Sequence, residues 1–111
     1  MKTIECEGQQ YSTTDEGYLV DAKIWDETLC QHMANIDGIS LTEQHWLVIR
    51  FVRKFYIEYQ HTPAIRALVK ALKQSYGPEI GNSITLQQLF PQGPAKQAAK
   101  LAGLPKPARC L

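Results

Sequence analysis

The side chains best equipped for chemistry are three cysteines, at positions 6, 30 and 110, and three histidines, at positions 32, 45 and 61. No CxxC pair brings two thiols together and no histidine stands at ligand spacing from a cysteine, so a zinc site and a disulfide framework are both disfavoured. The histidines match no nucleophile–base pattern and read as structural. Cys110 is different, because it stands one residue from the C-terminus in the stretch LPKPARCL, where order is lowest and solvent access greatest. Pro105 and Pro107 stiffen this stretch, while Lys106 and Arg109 are placed to stabilise a thiolate against the nearby terminal carboxylate. A reactive thiol on a stiff projecting segment has the geometry of a carrier, which accepts a group in one active site and delivers it to another. No general base or oxyanion hole accompanies it, so self-contained hydrolysis is not expected.

An arm needs a body, and the chain supplies one in two styles. In the first twenty residues, KTIEC, QQYST and GYLV are separated by Glu7-Gly8 and Asp15-Glu16-Gly17, which predicts a small hairpin with a third strand. From Asp26 the period becomes helical. Asp26 caps a first helix with Leu29, Met33 and Ile36 on its core face, Cys30 at or near the core, and Gly38 as its stop. The stretch SLTEQHWLVIRFVRKFYIEYQ opens with Ser40 and Glu43 at capping-box spacing and carries apolar residues on more than one stripe, so it is expected to be the central helix. Thr62 and Pro63 form an N-cap and first turn before AIRALVKALKQSYG, with Ile65, Leu68, Val69, Leu72 and Tyr76 on one face and Gly77-Pro78 as the stop. NSITLQQLF predicts a fourth helix, and Gly93-Pro94 opens a fifth, PAKQAAKLA, closed by Gly103. Beyond it the prolines forbid helix, and eight residues at about 3.1 Å each reach roughly 25 Å.

The expected fold class is therefore mainly α (α+β): an orthogonal bundle of about five helices with an N-terminal β-hairpin and an extended C-terminal arm. Residues 1–103 form one helical domain, and 104–111 form the arm.

A chain of 111 residues suits one domain with a single core, and a net charge of +1 gives no global field toward nucleic acid or anionic membrane. The start, MKTIECEGQQ, lacks a signal-peptide run, and no segment approaches the roughly 20 apolar residues of a membrane span, so the cytoplasm and reduced thiols are expected. One local charge pattern remains. Arg66, Lys70 and Lys73 recur at i, i+4, i+7 opposite the apolar face of the third helix, after the turn QHTP. Such a stripe suits the recognition helix of a helix-turn-helix DNA-binding protein, but without an overall positive balance a solvated face is the preferred reading.

Several blocks occur in an order that identifies the chain as a member of a known family. EGYL, HWLVIRFVRKFY, TPAIRALVKAL, GNS and LFPQGPAKQAAKLAGLPKP, with the penultimate cysteine, resemble the DsrC/TusE family of sulfur carriers from about residue 14 to the end. In the branch that serves dissimilatory sulfite reductase a second cysteine stands eleven positions before the penultimate one, and that position here is Ala99. The single-cysteine pattern is similar to the TusE-like branch. The resemblance implies a sulfurtransferase in which Cys110 accepts persulfide sulfur from an upstream Tus relay complex and presents it to a tRNA 2-thiouridylase with its tRNA, for 2-thiolation of the wobble uridine. No cofactor is implied beyond the persulfide on Cys110, and a monomer is favoured. Gly103 would be the hinge of the arm, Pro105 and Pro107 its stiffeners, and Leu111 a small apolar anchor in a partner's cleft. The alternatives are a sulfur carrier or regulator in another pathway related to dissimilatory sulfite reductase, and the DNA-binding reading.

Overall fold

The structure, a computed structural model, describes residues 1–107. Strands β1 (Lys2–Cys6) and β2 (Gln9–Thr13) pair antiparallel, from Lys2 opposite Thr13 to Cys6 opposite Gln9. Their two-residue turn places Glu7 at φ 50° and Gly8 at φ 81°, the positive angles that a type I′ hairpin turn requires. Alternation turns Cys6 and Thr13 inward, with Ile4 and Tyr11 packed more shallowly on the core. The expected third strand shrinks to a single bridge between Thr13 and Leu19. Tyr18 and Leu19 are pulled into the core there, and that burial takes the place of strand pairing.

After a short 3₁₀ turn at Ala22–Ile24, five helices follow: α1 (Glu27–Ile36), α2 (Glu43–Tyr59), α3 (Ile65–Tyr76), α4 (Ser83–Leu89) and α5 (Pro94–Leu101). The mainly helical class with an N-terminal hairpin is as expected. Asp26 caps α1, its carboxylate accepting the Leu29 N–H at 2.8 Å. Ile36, expected on the core face, is 60% exposed as the last residue of α1, just before the turn at Gly38.

Two helix starts differ from expectation. The capping box of α2 joins Thr42 and His45 in place of Ser40 and Glu43: Thr42 Oγ1 accepts the His45 N–H, and His45 Nδ1 accepts the Thr42 N–H at 3.1 Å. The same ring donates from Nε2 to the Leu89 carbonyl at 2.8 Å, which fixes the neutral Nε2–H tautomer and ties α2 to α4. His45 is thus structural. For α3 the N-cap is Ala64 without any side-chain cap, since Thr62 and Pro63 are buried upstream as part of the turn.

The core gathers Leu29, Cys30 and Met33 of α1, Val48, Ile49 and Val52 of α2, Leu68 and Leu72 of α3, and Leu86 and Phe90 around α4. The helix in the middle is α5, which packs against all four others, whereas the longer α2 packs chiefly on α5 and α3. Small side chains make this possible: Ala98, Ala99 and Ala102 are fully buried and let neighbouring backbones approach closely. The helix that leads into the arm is therefore the one the core holds most completely.

Candidate functional site

Both ends of α5 are fastened by side chains from distant elements. At its start, the buried Gln97 donates from Nε2 to Asp37 Oδ2 at 3.1 Å and accepts the Gln92 N–H at 3.1 Å. Lys100 pairs with the same Asp37 oxygen at 2.8 Å, with both side chains largely shielded, and donates to Gln92 Oε1. Tyr18 donates its hydroxyl to the Lys96 carbonyl at 3.3 Å.

The other end carries the arm. Gly103 takes φ 72°, its N–H bonds the Lys100 carbonyl at 3.1 Å, and the Leu104 N–H bonds the Ala99 carbonyl at 2.9 Å. These two bonds make a Schellman motif, in which glycine is favoured because the left-handed turn crowds a Cβ. The Ala102 N–H takes the Ala98 carbonyl, which leaves the carbonyls of Leu101 and Ala102 to be accounted for. Trp25 Nε1–H donates to Leu101 at 2.7 Å, and Arg53 Nη1–H donates to Ala102 at 2.6 Å. The Arg53 guanidinium also lies 4.2 Å from the centre of the Trp25 ring. A cation at this helix end complements its negative dipole. Trp25 also forms a floor beneath Gly103: a Cβ built there would stand 2.5 Å from Trp25 Cδ1.

From Gly103 the chain continues along the body. Leu104 is buried, Pro105 is exposed, Lys106 is paired with Glu16 at 2.9 Å, and Pro107 is buried. At Gly103, expected from the sequence to be a hinge, the structure shows a tight corner held by two backbone bonds above the Trp25 indole. The Lys106 ammonium, expected to serve the thiolate, is engaged by a carboxylate. Cys110 and Arg109, like Leu111, lie outside the described residues.

The other two cysteines are unsuited to nucleophilic work. Burial, with Glu27 adding to it and Arg53 opposing it, pushes the Cys30 thiol up to about 12, so it stays protonated and inert at neutral pH. Cys6 is pushed up by burial and by the neighbouring Glu7 and Asp26 carboxylates. Among the described residues no group of histidines, cysteines and acids could hold a metal ion. Arg66, Lys70 and Lys73 lie together on the exposed face of α3, with no hydrogen bond or ion pair among the described residues. His61 sits against Phe55 at a ring separation of 5.5 Å, and His32 stays at the surface of α1.

The family model described as "DsrC like protein" matches residues 5–111. The chain belongs to this DsrC-like family. Two similar proteins are named Sulfurtransferase TusE: that of Pectobacterium atrosepticum is 56% identical over 97% of this chain and 99% of its own length, and that of Yersinia pestis is 55% identical over 97% and 99%. Among solved structures, DsrC of Allochromatium vinosum superposes with a TM-score of 0.89 at 49% identity over 98% of this chain and 97% of its own. The oxidised γ-subunit of dissimilatory sulfite reductase from Archaeoglobus fulgidus gives 0.84 at 37% identity, over 99% and 100%. The sulfurtransferase class implied by the family resemblance is the class these TusE relatives carry.

Ala99, where the family resemblance implies a second cysteine in the sulfite-reductase branch, lies in α5 beneath Leu104. Ala99 is 1% exposed and its carbonyl accepts the first N–H of the arm, from Leu104. Trp25 and Arg53 were missed in the sequence. One signal was present: Arg53 lies four residues after Ile49 on the buried side of α2, and a cation there needs a partner.

Proposed function

We propose that this chain is a cytoplasmic sulfur carrier in which Cys110 accepts persulfide sulfur from an upstream Tus relay complex and passes it to a tRNA 2-thiouridylase, for 2-thiolation of the wobble uridine. The observation that carries the reading is similarity to TusE proteins across nearly the whole chain, together with a family match that runs through Cys110 to residue 111. The architecture supports it, because the helix most deeply held in the core ends in a fully bonded cap from which the thiol-bearing segment departs. Persulfide exchange needs neither a general base nor a metal within the carrier.

In the loading step the Cys110 thiolate attacks the outer sulfur of the donor's persulfide. A new S–S bond forms as the donor's S–S bond breaks, and the donor sulfur leaves with the electron pair as a thiolate. The outer sulfur and its proton move to Cys110, so no external oxidant or reductant is consumed. Delivery repeats the exchange with an acceptor thiolate attacking the outer sulfur on Cys110. Ala99 supports carriage over intramolecular disulfide chemistry, since the position under the arm holds no thiol.

The pathway is tested in cells that lack the gene. Wobble 2-thiouridine should be lost, restored by the wild-type chain and not by Cys110→Ser. Full thiolation without the protein would move it to another sulfur pathway, and restoration by Cys110→Ser would remove the thiol from the mechanism.

A further inference from the structure

Transfer between two proteins demands aim as well as reactivity, because both thiols must meet inside a partner's pocket. The end of α5 is built with more constraint than a helix stop needs. A Schellman turn alone satisfies its own carbonyls, and water can serve the rest. Here the two remaining carbonyls, those of Leu101 and Ala102, are held by Trp25 from the segment before α1 and by Arg53 from α2, and these two side chains are locked to each other. One anchor fixes a distance. Two anchors from separate elements, with the indole floor under Gly103, fix an orientation. Cys110 lies three residues beyond the buried Pro107, so covalent geometry keeps the two Cα atoms within about 11 Å.

Resting on the carrier reading above, we propose that Trp25 and Arg53 are positioning residues for sulfur transfer, which set the direction in which residues 104–107 leave α5 by fixing the carbonyl end of that helix. Their loss should therefore slow exchange with a protein donor, which must meet the arm at a set angle, and spare exchange with a small persulfide, which approaches from any side.

The test compares wild type, Trp25→Phe, Arg53→Gln and Arg53→Lys, each loaded from glutathione persulfide and from a protein donor made of cysteine desulfurase, cysteine and the relay complex. Sulfur gain is followed by intact mass. Trp25→Phe keeps an aromatic ring and loses the N–H, and Arg53→Lys keeps the charge, so folded variants are available even if Arg53→Gln is unstable. With glutathione persulfide all should match wild type within about twofold, whereas with the protein donor Trp25→Phe and Arg53→Gln should lose about tenfold in kcat/KM, mainly through KM, and Arg53→Lys should recover most of it. Unchanged loading from the protein donor, or equal slowing with both donors, would overturn the proposal. Failure of wild type to take sulfur from the protein donor would instead overturn the carrier reading, and this proposal with it.

Discussion

Replacing Gly103 by alanine separates two costs that the structure keeps distinct. The first is conformational: at φ 72° an L-residue is worse than glycine by about 1–2 kcal/mol. The second is steric, since the new Cβ would stand 2.5 Å from Trp25 Cδ1 and 2.8 Å from its Cβ and Cγ. The indole must move, which sacrifices its bond to the Leu101 carbonyl, worth about 0.5–1.5 kcal/mol, and its contact with the Arg53 guanidinium, worth about 0.5–1 kcal/mol. The sum is about 2–4.5 kcal/mol, a large share of the roughly 5–15 kcal/mol that stabilises a small domain. Gly38 provides the control: it closes α1 with φ 76° in the same kind of turn, and a Cβ there meets nothing within 4 Å. Gly38→Ala should cost only the conformational part, about 1–2 kcal/mol. Urea unfolding followed by circular dichroism measures both. Equal losses at the two glycines would refute the claim that the indole seats the arm.

Other features give sharper or smaller effects. Asp37→Ala removes the partner of Lys100 and of Gln97 together and should cost about 2–4 kcal/mol by denaturant unfolding, with Asp37→Asn recovering part through the Gln97 bond. Lys106→Ala breaks an exposed pair with Glu16 and should change stability by about 0–1 kcal/mol, less still in high salt. Cys30 has a folded value raised from 9.0 to about 12, so its contribution is complete below pH 9 and is lost as pH rises from 9 toward 12, where the unfolded thiol ionises and the folded one does not. Unfolding midpoints measured across that range should fall more steeply for wild type than for Cys30→Ala. His45→Ala strands the Thr42 N–H and the Leu89 carbonyl and should cost about 2–3 kcal/mol in the same unfolding assay.

Much of this architecture was legible because it is local. The Glu7-Gly8 turn, the Asp26 cap, the Gly38 and Gly103 stops and the Gly93-Pro94 start all declare themselves through residues that few other conformations favour. The cap of α2 was misplaced by two residues because Ser40/Glu43 and Thr42/His45 offer the same spacing, and what chooses between them is the Leu89 carbonyl, 44 residues away. The central place of α5 was hidden for a similar reason. Ala98, Ala99 and Ala102 each carry little apolar surface and α5 is short, yet their small size is what lets four helices crowd one. Trp25 falls between a turn and a cap, where no period exists to read, and the place of Arg53 on the buried side of α2 signals a partner without naming the Ala102 carbonyl, 49 residues away. Cys110, the thiol proposed as the carrier, stood out from sequence alone because its position and its proline-rich setting are themselves the signal.

Intact mass spectrometry of the chain after incubation with a cysteine desulfurase, cysteine and the relay proteins tests the central claim most directly. Wild type should gain one sulfur, about 32 Da, removable by a reductant, and Cys110→Ser should gain none. No gain on wild type with a demonstrably active donor, or an equal gain on Cys110→Ser, would contradict the account.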